Sequence, residues 1–138
     1  MQLQLRYEPT PENATKFAEN IVAAAENISE VTLDYSVESL QAVDDIIESF
    51  RQDGCTADQV AATLFGFGCY IGEVFVRHAG GAWKETAQTE MAAVARFPMV
   101  VALENGKLCN PIGKAFKRLQ NGEEDNIPYF YQVFAVEE

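Results

Sequence analysis

Apolar residues recur at helical spacing through most of the first 80 positions, and the period changes after Gly80-Gly81. Thr10-Pro11 reads as an N-cap followed by proline in the first helical position. It predicts a helix to about Asn27, with Phe17, Ile21, Ala24, Ala25 and Ile28 as its apolar stripe. Val31, Leu33 and Tyr35 alternate with polar residues, the pattern of a short strand or an extended lead-in. Ser36 caps a second helix carrying Leu40, Val43, Ile47 and Phe50, which Gly54 stops. Thr56 with Gln59 forms a capping box for a third helix.

That third helix is apolar on nearly every face, which places it in the core. Val60, Leu64, Phe67, Ile71, Val74, Phe75 and His78 share one side of its wheel, and Phe65, Cys69, Gly72 and Val76 another. Gly66, Tyr70, Glu73 and Arg77 form a narrow polar-edged stripe between them. Gly66, Gly68 and Gly72 each weaken helix propensity by about 1 kcal/mol, so they mark places where another backbone approaches closely. Their GxGxxxG spacing lies inside a helix, with no strand and turn before it to present a nucleotide-binding loop.

Beyond Gly80-Gly81, Trp83 begins a strand, and residues 87 to 96 fit helix or strand equally. Met99 to Leu103 is apolar enough for a core strand. Glu104-Asn105-Gly106-Lys107 is a hairpin turn, and Lys107 to Cys109 returns. Asn110-Pro111 opens a short helix through Ile112, Phe116 and Leu119, closed by Asn121-Gly122. Asn126 with Ile127-Pro128 opens a last helix carrying Tyr129, Phe130, Tyr131, Val133 and Phe134. The expectation is a single α+β domain over residues 1 to 138, with about five helices on a small antiparallel sheet around a central buried helix.

A chain of 138 residues, 48% hydrophobic, can bury a core of ordinary size. Its net charge of −11 is unevenly spread. Residues 1 to 58 hold 12 acids against Arg6, Lys16 and Arg51, whereas residues 59 to 138 hold nine against seven bases. Such a surface repels nucleic acid and anionic membrane and attracts a basic protein. It also serves solubility alone. No apolar segment reaches membrane-spanning length once Glu73 and Arg77 are counted, and the N-terminus lacks signal-peptide character. Three cysteines without CxxC spacing argue for a reducing cytoplasm over a disulfide framework or zinc site. No cofactor is expected.

Tyr70-Ile-Gly-Glu-Val, Gly80-Gly81-Ala-Trp83, Asn110-Pro111-Ile-Gly-Lys114 and Asn121-Gly-Glu-Glu-Asp125 together resemble a family of small uncharacterised bacterial proteins. There a YxGE-like helix is followed by GGxW, an NP-led helix and an acidic turn. The resemblance spans about residues 33 to 134 and implies an α+β domain of bacterial origin, with no activity to carry over.

Candidate chemistry is sparse. Cys109 precedes a helix N-terminus, which lowers a thiol pKa, and His78 is the sole histidine available as its base. A small buried strand residue and a helix-end hydrogen-bonding residue are the plainer readings of the two. Glu73, alone in an apolar helix, needs a partner, and Arg77 stands at the i, i+4 spacing. Tyr70, Glu73 and Arg77, walled by Trp83, are the candidates for a small-ligand pocket, Arg77 meeting an anionic group. Asp44, Asp45 and Glu48 cluster on the outer side of the second helix and are the candidate contacts for a basic partner. Glu123-Glu124-Asp125 is a solvated acidic turn or a further such contact, and Lys114, Lys117 and Arg118 make one basic helical face. No catalytic set is complete. The expectation is a non-enzymatic acidic protein-binding module, immunity-like or regulatory; the alternative is a ligand binder or enzyme built on Tyr70, Glu73 and Arg77.

Overall fold

Helix α1 (Ala14–Ser29) follows a 3-10 turn over Pro11–Asn13, whose proline sits in the first turn as the sequence predicts. The computed structural model describes residues 5–136. The chain continues through α2 (Ser39–Gln52), α3 (Ala61–Ala79), β1 (Ala82–Glu85), β2 (Met99–Ala102), β3 (Leu108–Cys109), α4 (Pro111–Asn121) and α5 (Ile127–Tyr131). The strands form one antiparallel sheet in the order β1-β2-β3, with Trp83 opposite Val101 and Val101 opposite Cys109. Five helices and this small sheet share one core, an α+β domain.

Local signals decide where the elements begin. The Thr56 amide donates to Gln59 Oε1 at 2.9 Å and the Gln59 amide to Thr56 Oγ1 at 3.3 Å, the expected reciprocal pair, which closes the turn leading into α3. Ser36 Oγ accepts from the Ser39 amide at 3.1 Å and closes the first turn of α2. Asn110 and Asn126 accept from the amides of Gly113 and Tyr129, each at 2.9 Å, and start α4 and α5. At the hairpin, Gly106 adopts φ of 89° and its amide reaches Leu103 O.

Helix α3 is the centre of the domain, packed between α1 and α4. Every residue from Leu64 to Phe75 is buried. The backbone approach expected at Gly66, Gly68 and Gly72 is present only at Gly68; the other two glycines make room for side chains, Gly66 for Ile21. At Gly68 a Cβ would overlap the Cα of Ile112, so backbone meets backbone where α3 crosses α4. At Gly72 the same Cβ would enter the indole of Trp83. Leu64, Ile71 and Val74 of α3 join Leu40, Val43 and Ile47 of α2, Met99 and Val101 of β2 and Ile112 of α4 in the core. Each such side chain contributes roughly 1.5 to 3 kcal/mol on burial.

Of the two readings of residues 31 to 35 the lead-in holds and the strand does not: they pair with no strand, Leu33 is buried, and Glu30 before them takes a left-handed φ of 54° as the C-cap of α1. Residues 89 to 96 settle as turns after a 3-10 turn over Thr86–Gln88, neither helix nor strand. Ile28, expected on the apolar stripe, is 81% exposed in the last turn of α1, beyond Ala25, the last buried residue of that helix. Among the described residues, no helix is long and apolar enough to cross a membrane.

Candidate functional site

Glu73 is the buried carboxylate of α3, with 6% of its surface accessible, and its partners are not the expected ones. Trp83 Nε1 donates to Oε2 at 2.9 Å and Thr15 Oγ1 donates to Oε1 at 3.3 Å. One carboxylate thus ties the first residues of α1 and the sheet edge to the central helix. Arg77 makes no ion pair with it. The guanidinium lies 3.7 Å above the ring of Tyr35 instead, a cation–π contact. The reason is local. Trp83 follows the Gly80-Gly81 reversal onto the face of α3 where Glu73 emerges, while Arg77 stands in the exposed last turn.

Tyr70 anchors the neighbouring lead-in. Its Oη accepts from the Tyr35 amide at 2.8 Å and lies 2.5 Å from Ser39 Oγ. Ser39 Oγ spends its own proton on Ser36 O at 2.6 Å, so Tyr70 is the donor in the tyrosine–serine bond. Burial raises the Tyr70 hydroxyl pKa above its ordinary value despite these bonds. Tyr35 stacks on Tyr70 at 4.8 Å and holds a left-handed φ of 65°. His78 Nε2 donates to Tyr35 O at 2.9 Å and helps hold that conformation. Tyr70, Glu73, Arg77 and Trp83 are therefore brought together, but as fastenings between elements. Both oxygens of Glu73 and the hydroxyl of Tyr70 already have protein partners.

The second polar centre joins α2 to α4. Arg118 is 1% exposed, buried among apolar neighbours. Its Nε donates to Asp44 Oδ1 at 2.8 Å, NH2 to Asp44 Oδ2 at 3.2 Å, NH1 to Glu48 Oε1 at 2.8 Å and NH2 to Glu123 Oε2 at 3.1 Å. Burial works against its charge, and the bonds from Asp44 and Glu48 outweigh that, leaving its pKa raised. Asp44 also accepts the Ile127 amide at 2.9 Å, so the same carboxylate fastens α5. Two placements are corrected here. Asp44, 2% exposed, is not on the outer side of α2; only Asp45 is exposed, and Glu48 is half-buried on the arginine. Arg118 is not part of an exposed basic face with Lys114 and Lys117. The helical period alone puts Asp44 beside Val43 and Ile47, which was the available signal for its burial.

The acidic turn is largely neutralised within the chain. Lys114 Nζ meets Asp125 Oδ1 at 2.7 Å, Arg118 takes Glu123, and Glu124 stays in solvent. No thiol–imidazole pair forms: His78 is engaged by Tyr35, and burial pushes the Cys109 thiol up to about 12, opposite to the expected lowering. Burial also raises the Cys69 thiol. No group of three or more His, Cys, Asp or Glu gathers to hold a metal among the described residues.

The remaining feature is surface charge. Of the twelve acids in residues 1 to 58, all but Asp44 and Glu48 are exposed. Glu26, Glu30, Asp34 and Glu38 follow one another along the stretch that leaves α1 and enters α2, with Asp45 two turns further on. No family model, curated protein or solved structure matches this chain.

Proposed function

We propose that the protein is a non-enzymatic binding module of the bacterial cytoplasm, whose acidic face from α1 to α2 docks a basic protein. The observation that carries this reading is the concentration of exposed carboxylates over Glu26, Glu30, Asp34, Glu38 and Asp45, in a chain whose buried charges, Asp44, Glu73 and Arg118, are consumed in structure. Charge of one sign concentrated in one stretch of the chain steers association and selects a partner of the opposite sign. The pocket reading of Tyr70, Glu73 and Arg77 receives no comparable support, since those groups satisfy one another's elements.

The reading is tested by chemical cross-linking in the native host, with wild type and a Glu26→Lys, Glu30→Lys, Glu38→Lys, Asp45→Lys variant. A basic protein cross-linked to residues 26 to 45 is expected. Its purified form should associate at least about tenfold more slowly with the variant, and more slowly at high salt. An identified partner whose association ignores both changes leaves the acidic half a solubility feature.

A further inference from the structure

A groove of about 560 Å³ runs between the turn segment 91 to 97 and α4. Phe97 and Phe116 form its floor, their rings 4.8 Å apart. Val94, 76% exposed, stands at its rim, a large apolar side chain given to solvent in a segment without regular structure. The charged residues that line it are Arg96 and Lys117, both cationic. Asp125, which accepts from Asn121 at one end of the groove, is already held by Lys114.

In a chain of net −11, a groove lined by two cations and by no acid is a local reversal of sign. The groove has an apolar floor and one exposed apolar side chain at its rim, and its volume falls within the range of ligand-binding clefts. The apolar floor asks for an apolar insert and the cations for carboxylates beside it. A second copy of the chain suits the groove poorly, because two copies at −11 repel one another. A short acidic segment brings only a few charges and sets them against the two cations, with charges more than about 8 Å away screened. We propose that this groove docks an acidic, apolar peptide segment of a partner protein, with its large side chain over Phe97 and Phe116 and its carboxylates on Arg96 and Lys117. The inference is independent of the acidic face.

Selection of a random peptide library on the full chain tests it, with binding then measured by fluorescence polarisation. The expected peptides combine Asp or Glu with Leu, Ile or Phe. Their affinity should fall about tenfold or more for Arg96→Glu, Lys117→Glu and for the milder Arg96→Gln, Lys117→Gln, which guards against misfolding. It should hold for Glu26→Lys, Glu38→Lys. Overturning results are no enriched peptide, only basic peptides, or acidic peptides insensitive to both groove variants. Decanoate binding with that sensitivity where no peptide binds would make the occupant a small amphipathic anion. Self-association in sedimentation that Arg96→Glu, Lys117→Glu abolishes would make it a second copy. Either overturns the peptide proposal.

Discussion

Asp44 and Arg118, 74 residues apart in the chain, form a bidentate pair in which both are buried: Nε to Oδ1 at 2.8 Å and NH2 to Oδ2 at 3.2 Å. The pair fixes α4 against α2, and through the Ile127 amide it fixes α5 as well. Burying two ions is costly, and removing one partner strands the other. Asp44→Ala should therefore destabilise the domain by about 3 kcal/mol or more in urea unfolding. Asp45→Ala, on the exposed neighbour, should change stability by less than about 0.5 kcal/mol. Equal losses for the two would show that the guanidinium is satisfied without Asp44.

Glu73 is expected to act through Trp83 and Thr15, not Arg77. Glu73→Ala should cost roughly 1 to 3 kcal/mol, by leaving the indole N–H and the threonine hydroxyl without their acceptor. Because Trp83 is the only tryptophan, its fluorescence should shift in the folded Glu73→Ala protein. Arg77→Ala should leave that emission unchanged and cost about 0.5 to 1 kcal/mol through the lost contact with Tyr35. An emission change in Arg77→Ala would reinstate the Glu73–Arg77 pairing.

Gly68 admits no side chain, since its missing Cβ is where the Ile112 backbone passes. Gly68→Ala should destabilise by about 2 kcal/mol or more through forced separation of α3 and α4, whatever alanine adds in helix propensity. Thermal melting within a degree or so of wild type would mean that the two helices separate freely.

The Asp125 carboxyl is opposed by burial but drawn below its ordinary range by its bonds from Lys114 and Asn121. A depressed carboxylate pKa means that the unfolded chain takes up the proton first as pH falls. The contribution is complete above the ordinary value of about 3.9 and is lost as pH drops through the folded value. Lys114→Met should thus cost about 1 kcal/mol at neutral pH, with the difference from wild type shrinking below roughly pH 4. A gap that stays constant down to acid unfolding would assign the loss to packing over Phe130.

Thiol labelling separates the three cysteines. Cys69 and Cys109 are buried with raised pKa values, whereas Cys55 is half-exposed. A disulfide reagent at neutral pH should modify one thiol quickly and the other two only on the timescale of unfolding. Two fast thiols would reveal local opening of α3 or β3.

Boundaries and burial patterns were legible in the chain because they rest on neighbours in sequence. The capping box at Thr56 and Gln59, the asparagines at 110 and 126, the Asn105-Gly106 turn and the all-round apolar α3 act over a few residues, where periodicity and turn chemistry operate directly. The choice of polar partner was not of that kind. Glu73 had Arg77 one turn away, yet the Gly80-Gly81 reversal brought an indole N–H closer to its axis of approach. Asp44 shared a helix with Asp45 and Glu48, and only the docking of α4 decided that it would be buried and the others not. The 87 to 96 segment, ambiguous by period, became the end of a 3-10 turn and then irregular turns in the connection between β1 and β2. Side-chain partners are selected by which surfaces the long-range packing brings within hydrogen-bond reach, a distance of about 3 Å that no spacing along one helix can specify.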